Sequence, residues 1–146
     1  MKALVALPAA VLVALLGPLP EAATACADPG AVDSTTAYAP PFVARTQWTQ
    51  WAGKASLRVF PTPSGRAAAR QPGTTALADE AWAEVLALSP TADTAGMRAQ
   101  FICHWQFAEL VEPGKSSWNL EPWRPVVDDA EMVASGCNPG GSEEAF

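Results

Sequence analysis

The stretch Phe101–Leu110 reads FICHWQFAEL and contains the only histidine of the chain, placed between a cysteine and a tryptophan. Apolar residues recur along it at the spacing of one helix face, which predicts a helix over Thr94–Leu110 that ends before Pro113. The residues of that face are Met97, Phe101, Trp105 and Ala108. A strand remains an alternative, since Phe101, Cys103, Trp105 and Phe107 also alternate with other residues.

The first 27 residues have the layout of a secretory signal peptide. Lys2 precedes the apolar run Ala3–Leu16, and prolines then separate this run from the A-x-A pattern Ala25–Ala27. Cleavage there would leave Asp28 at the N-terminus. An apolar run of about 14 residues is short for a membrane-spanning helix, which needs about 20, so we expect secretion without a transmembrane anchor.

The cysteines predict one disulfide bond. Cleavage after Ala27 discards Cys26; in a minor alternative Cys26 is the lipid-modified N-terminal residue of a lipoprotein. Either route leaves Cys103 and Cys137 as a pair in an oxidising compartment, where pairing is the default. The loop they close, about 35 residues, corresponds to about 3 to 4 kcal/mol of stabilisation.

Composition places the chain among small acidic proteins with a single folded domain. The formal net charge is −6 and the basic residues form no cluster, which argues against nucleic acid or anionic lipid surfaces as partners. We expect a flexible N-terminal segment over residues 28–41, a folded domain over 42–139 and a flexible tail over 140–146, because both end segments are polar and rich in small residues.

The folded part is predicted to be α+β. Phe42–Trp51 and Ser56–Thr62 alternate in character around a short Gly-containing turn, which predicts an N-terminal β-hairpin. A loop over Ser64–Gly73 is expected to lead to a helix that begins near Thr74 or Thr75 and stops at Ser89-Pro90. After the second helix, prolines 122 and 125 favour an extended C-terminal strap that the disulfide closes.

Four segments together resemble a family of secreted actinobacterial proteins that is classed as a domain of unknown function. They are SLRVFPT at 56–62, Cys103-His104, WNLEPWRP at 118–125 and CNPG at 137–140. The resemblance implies export and a small disulfide-linked α+β domain. It brings no activity and no catalytic residue to this chain.

Catalytic chemistry has few candidates in this sequence. His104 is a weak candidate for a general acid or base, and its alternative role is to donate a hydrogen bond to a nearby carbonyl or carboxylate. Cys103 and His104 are adjacent, so their side chains point apart and do not form a nucleophilic pair. One histidine with scattered acids predicts no metal site, and without a glycine-rich phosphate loop we expect no nucleotide cofactor.

A glycan hydrolase would need two carboxylates across a cleft. Six acids are candidates for such a pair, although most are expected to be solvated: Glu80, Glu84, Glu109, Glu121, Asp128 and Asp129.

Binding residues are predicted on the proline-rich strap. Trp118, Trp123 and Arg124 could present aromatic faces and a guanidinium to a ligand, because extended backbone is ordered at low entropic cost. The alternative is that the tryptophans anchor the strap to the core. We therefore expect a secreted, non-catalytic binding domain for an extracellular protein, peptide or glycan, located outside the cell or at its envelope. The alternatives are a small extracellular hydrolase and a secreted toxin or inhibitor.

Overall fold

The computed structural model describes residues 38–142. The predicted signal peptide, most of the predicted N-terminal segment and residues 143–146 lie outside this range. Within it the order of elements is β1 (Val43–Trp51), β2 (Lys54–Pro61), α1 (Pro63–Ala69), α2 (Thr75–Leu88), a short 3-10 turn (Pro90–Ala92), α3 (Met97–Val111), β3 (Trp118–Leu120) and α4 (Asp129–Ala134). This confirms the α+β class. No helix between residues 38 and 142 is long and apolar enough to cross a membrane.

The N-terminal hairpin is confirmed. β1 and β2 pair antiparallel, with Trp48 opposite Leu57 and Trp51 opposite Lys54. The connecting residues Ala52 and Gly53 have φ values of 49° and 75°, which is the left-handed backbone that a two-residue hairpin turn of the favoured twist requires.

A third strand comes from the predicted C-terminal strap. β3 pairs antiparallel with β2 and gives the sheet order β1-β2-β3, with Trp118 opposite Val59 and Leu120 opposite Leu57. Paired residues lie on the same face of a sheet, so these four side chains enter the core together. The strap is therefore extended at its start, but it later contains a helix. α4 begins after Asp128, whose carboxylate caps it by accepting from the Glu131 N–H at 2.9 Å.

The predicted loop over Ser64–Gly73 is wrong in its first half, because helix α1 occupies Pro63–Ala69. The Thr62 hydroxyl accepts a hydrogen bond from the Gly65 N–H at 2.9 Å, and proline takes the first helical position, where its missing N–H costs nothing. Pro63 thus begins the helix, and Gly65 lies in close contact with the backbone of Phe42.

Helix α3 removes the ambiguity of the FICHWQFAEL stretch, since it is helical over Met97–Val111. Phe101 and Trp105 pack into the main core, whereas Cys103 and Phe107 belong to a second cluster with Met132 of α4. Residues two apart on a helix lie about 200° apart. The apparent strand alternation thus arises from a helix that is buried on two sides.

The main core centres on aromatic rings. Trp105 contacts Phe42, Phe101 and Trp118 at ring-centroid distances of 5.8, 6.3 and 6.1 Å. Trp82 of α2 packs on Phe101 at 5.6 Å. Trp82 and Trp105 are both buried, and this cluster joins the sheet to α2 and α3.

The disulfide between Cys103 and Cys137 is also confirmed, with Cα atoms 5.5 Å apart. It connects the middle of α3 to the segment that follows α4. Met132 packs beside it, with Ala99, Phe107 and Val127 around the bond. This second cluster fixes α4 against α3.

Candidate functional site

The three predicted binding residues do not form an exposed surface. Trp118 is buried in the aromatic core against Phe101 and Trp105. Trp123 is half-buried, with the Lys54 ammonium 4.1 Å and the Arg124 guanidinium 4.6 Å from its ring centre. Both cations lie within the range of a cation–π contact. Trp118 and Arg124 are thus buried within the folded domain, and the two cations lie against the half-buried ring of Trp123.

Arg124 is buried and holds two parts of the chain together through its hydrogen bonds. Its Nε donates to Glu121 Oε2 at 2.6 Å, and its terminal nitrogens donate to the backbone carbonyls of Pro139, Gly141 and Ser142 at 2.9 to 3.2 Å. A guanidinium has five donors in a fixed plane, which suits several acceptors at once. The WNLEPWRP segment therefore holds the chain that follows Cys137.

Glu121 is the centre of this arrangement. Its second carboxylate oxygen accepts from the Ser56 hydroxyl of β2 at 3.0 Å. Its backbone N–H and C=O bond the side-chain amide of Gln100 in α3 at 2.9 and 3.0 Å. A buried carboxylate requires a paired charge and hydrogen-bonded oxygens, and Glu121 has both. It is not placed to act on a substrate.

Glu109 is the other fully buried carboxylate among the hydrolase candidates. Arg66 of α1 and Arg70, the residue after α1, both pair with it, Arg70 at 2.9 Å, and the Gly114 N–H donates to it at 3.2 Å. Arg66 also donates to the Lys115 carbonyl at 2.6 Å. This cluster joins α1 and α3 and fixes the loop after α3.

The other acids are exposed or bind backbone N–H groups. Glu84, expected on a solvated helix face, accepts hydrogen bonds from the N–H groups of Phe42 and Val43, both at 2.7 Å. Asp128 caps α4, while Glu80 and Asp129 are exposed. Among residues 38–142, no group of three or more His, Cys, Asp and Glu side chains is placed to hold a metal ion.

His104 is buried in α3 and bonds to β3. Its Nε2 lies 3.0 Å from the Asn119 carbonyl, which only accepts, so the imidazole donates through Nε2–H. The pKa of His104 is lowered to about 4, mainly by burial and also by the positive charges of Lys115 and Arg124, against the opposing effect of the Asn119 hydrogen bond. The ring is thus neutral at pH 7 and ties α3 to the sheet.

The side of α3 that faces α4 borders a half-open cavity of about 260 Å³. Its apolar lining consists of Phe107, Ala108, Val111, Val133 and Cys137. Val111 and Val133 are 81% and 50% exposed. We call this cavity the α3–α4 pocket.

Three polar residues also line the α3–α4 pocket: His104, Glu112 and Lys115. The Lys115 side chain is only 7% exposed, and its Nζ lies 3.6 Å from an oxygen of Glu112, whose side chain is 64% exposed. Lys115 also acts on His104 through its charge. The pocket therefore combines apolar walls with one group of charged and polar side chains.

A larger cavity of about 420 Å³ lies between α3 and the loop that joins α1 to α2, with Ile102, Trp105 and Leu110 among its walls. Its one charged lining residue, Arg70, is half-exposed and paired with Glu109. The α3–α4 pocket is the better candidate site because a buried charge borders its apolar walls, the usual composition of ligand pockets.

Of the residues that line the α3–α4 pocket, only His104 was a candidate for a functional role from the sequence, whereas Cys137 was expected in the disulfide and Phe107 and Ala108 only in the apolar pattern of the stretch. The available signal was a second apolar stripe on α3, Cys103, Phe107 and Val111, spaced four residues apart. An apolar arc this wide indicates a helix that contacts two partners. Lys115 carried no comparable signal, since its burial depends on a loop held by Arg66.

The fold and the site define a small disulfide-linked α+β domain with an apolar pocket beside the disulfide. The chain belongs to the family "Protein of unknown function (DUF2599)", whose model matches residues 43–140. It is 62% identical over 149 residues to the uncharacterized protein Rv0477 of Mycobacterium tuberculosis and equally to Mb0487 of Mycobacterium bovis, with all of each chain covered. The uncharacterized protein ML2452 of Mycobacterium leprae is 58% identical over 106 residues, covering 73% of this chain and 85% of the relative. No solved structure matches.

Proposed function

We propose that this protein is a secreted, non-catalytic binding domain that takes up the apolar part of a ligand in the α3–α4 pocket. The carrying observation is the set of partly exposed apolar side chains on the rim and walls of one cavity, above all Val111 and Val133. Exposed apolar residues that line a concave site are characteristic of binding surfaces.

Export is supported by the N-terminal sequence pattern and by the disulfide, which persists in oxidising compartments. The measurement that tests export is the intact mass of the protein recovered from culture medium. A chain that begins at Asp28, with no free thiol before reduction and two after it, is the expected result. Protein that is found only inside cells with Met1 retained would contradict export.

The geometry of the candidate groups does not favour the hydrolase alternative. His104 donates a hydrogen bond through Nε2–H to the Asn119 carbonyl, and its pKa of about 4 makes it a weak base at neutral pH. Glu109 and Glu121 are buried in ion pairs. The binding role rests on side chains that remain accessible.

The binding test uses an uncharged aliphatic probe, decan-1-ol, titrated into the protein below its solubility limit and followed by the NMR signals of valine methyl groups. We expect saturable shifts at Val111 and Val133. In Val133→Gln, a polar group enters the pocket and binding should weaken at least about fivefold, as expected for a loss of roughly 1 kcal/mol of apolar contact.

Val126→Gln is the matched control, since Val126 is also an exposed valine, 66% accessible, and does not line the α3–α4 pocket. It should leave the affinity unchanged. Shifts spread over the whole surface, or an equal loss in both variants, would refute the pocket as the binding site.

A further inference from the structure

One ring atom of His104 is left without a hydrogen bond where this residue lines the α3–α4 pocket. Because Nε2 carries the proton that is donated to the Asn119 carbonyl, the other nitrogen, Nδ1, carries a lone pair. Within residues 38–142 no donor contacts Nδ1. Nδ1 is also not one of the fully buried polar atoms that lack a partner, so it reaches the space of the pocket.

This nitrogen is an acceptor in a poorly solvated place. His104 is only 4% exposed, so little water reaches its ring. The ring stays neutral at pH 7 because its pKa is about 4, and the lone pair of Nδ1 therefore persists. A hydrogen bond to an acceptor with few water partners is favourable, since an unpaired buried polar group is costly.

The apolar walls lead along helix α3 towards this acceptor. The helix residues that line the pocket follow the spacing of one face, with Phe107 and Ala108 one turn and Val111 two turns after His104. His104 is at the buried end, and Val111, 81% exposed, is at the open end. Seven residues of helix rise about 10 Å, roughly the length of an eight-carbon chain.

The lone pair selects among head groups. A carboxylate offers only acceptors, so it would face Nδ1 with no proton between them. An ammonium could donate, but its charge would lose much of its water beside apolar walls. A hydroxyl is neutral and supplies one O–H donor. Glu112 and Lys115 already interact with each other, and neither is assigned to the ligand.

We propose, as a refinement that rests on the binding function above, that the α3–α4 pocket binds an aliphatic chain with a neutral hydrogen-bond donor at its end, such as an alkyl alcohol, which donates to Nδ1 of His104. The chain packs along Phe107, Val111 and Val133. His104 then determines the specificity for the head group, and the apolar walls bind the chain.

The test compares two isomers, octan-1-ol and 1-methoxyheptane, each titrated by NMR below its solubility limit. They contain the same atoms, but the ether has no donor. We expect the alcohol to bind about fivefold more tightly, as one net hydrogen bond implies. Without an acceptor in the pocket the order would be reversed, because the alcohol would give up its hydrogen bonds to water and gain none.

The imidazole nitrogens report the contact directly. His104 is the only histidine of the chain, so protein labelled with ¹⁵N-histidine gives one pair of ring signals. Octan-1-ol should move the Nδ1 signal upfield, as expected when a ring nitrogen accepts a hydrogen bond. The ether should leave Nδ1 unchanged. Nε2 should keep its position with both probes, since its bond to Asn119 remains.

A variant at His104 separates the head group from the chain. His104→Phe keeps a planar ring but removes the acceptor, so the affinity for octan-1-ol should fall to that of 1-methoxyheptane or below, while the affinity for the ether is retained. Gln106→Leu is the matched control, because Gln106 is an exposed polar residue of α3 that does not line this pocket. It should change neither affinity.

The outcomes are distinguishable. An ether that binds as tightly as the alcohol, or an Nδ1 signal that stays in place in saturating octan-1-ol, would overturn the donor at His104 and leave the binding function intact. Absence of binding by both probes would overturn both proposals. If His104→Phe fails to fold, the Nδ1 signal of the unaltered protein decides.

Discussion

At the scale of single residues, His104 lines the α3–α4 pocket and also makes the stability of the fold depend on pH. The neutral imidazole is the form that the folded protein accepts, since burial removes the water that would solvate its charge and Lys115 repels a second cation. In the unfolded chain the imidazole is in water, so its protonation carries no such cost. Folding is therefore coupled to the protonation of this one ring.

We predict that this coupling makes the protein less stable in mild acid. The folded pKa of His104 is about 4, below its ordinary value of 6.5, so below pH 6.5 the unfolded state binds the proton first. The contribution is fully present above pH 6.5 and is lost as the pH falls towards 4, on the order of 3 kcal/mol in total. Urea denaturation between pH 7.5 and 4.5 measures it.

His104→Gln serves as the comparison, because a glutamine amide can still donate to the Asn119 carbonyl but does not titrate. The free-energy difference between the two proteins should shrink steadily as the pH falls through this range. If the free energies of unfolding of the two proteins change in parallel with pH, His104 is not the cause of the pH dependence.

A second residue-scale prediction concerns the buried pair of Glu121 and Arg124. Arg124→Met should lower the free energy of unfolding by about 3 to 5 kcal/mol, because it leaves the charge of Glu121 buried without its partner. Chemical denaturation is the measurement. Arg98→Met is the matched control: its pair with Asp79 is more than half exposed, so a change below about 1 kcal/mol is expected. Similar losses in the two variants would contradict the assigned importance of burial.

At the scale of elements, helix α1 depends on a glycine for its position. A Cβ on Gly65 would lie 2.2 Å from the carbonyl oxygen of Phe42. Gly65→Ala would ordinarily favour a helix by about 1 kcal/mol. Here we predict the opposite sign, a loss of about 1 to 3 kcal/mol, since backbone atoms must move to admit the methyl group.

Thermal or urea unfolding of Gly65→Ala tests this prediction, beside Gly141→Ala as the control, where a Cβ would meet no atom within 4 Å. A stabilised Gly65→Ala would mean that α1 can shift freely away from Phe42. The two ends of α1 make that shift costly, since Thr62 caps the first and Arg66 and Arg70 hold Glu109 from the second.

The elements also show which parts of the fold the sequence could predict. The hairpin, α2 and α3 follow from periodicity, since each is long enough for its pattern to be seen. α1 is short and carries Pro63 and Gly65, residues that usually indicate a loop. The sequence left open whether Trp118 and Arg124 are exposed or buried, because an extended segment with alternating polar and aromatic residues has the same pattern on a surface and in a core. Only the pairing of β3 with β2 decides it.

At the scale of the whole molecule, the Cys103–Cys137 bond closes a loop across 34 positions. We predict that replacing both cysteines by alanine lowers the free energy of unfolding by about 3 to 4 kcal/mol. The loss follows mainly from the greater freedom of the unfolded chain. Guanidinium denaturation of the variant against the oxidised protein measures it.

In the same variant, hydrogen exchange should accelerate more in α4 than in β2, relative to the oxidised protein. The reason is that α4 has little core of its own beyond Met132. Because Val133 of α4 lines the α3–α4 pocket, the affinity for decan-1-ol should fall as α4 loses its protection from hydrogen exchange. Unchanged hydrogen exchange in α4 would show that Met132 and the hydrogen bonds of Arg124 suffice to keep α4 in place.

Glu121 connects parts of the chain that lie far apart in sequence: Ser56 in β2, Gln100 in α3 and Arg124 beside it, which in turn holds the segment after Cys137. Each partner supplies what the carboxylate or its peptide groups need, so replacing one of them alone is costly. During divergence within the family, these four positions are therefore expected to change together or to remain fixed together. Their joint variation would record in the sequences of the relatives a contact that no single segment of this chain reveals.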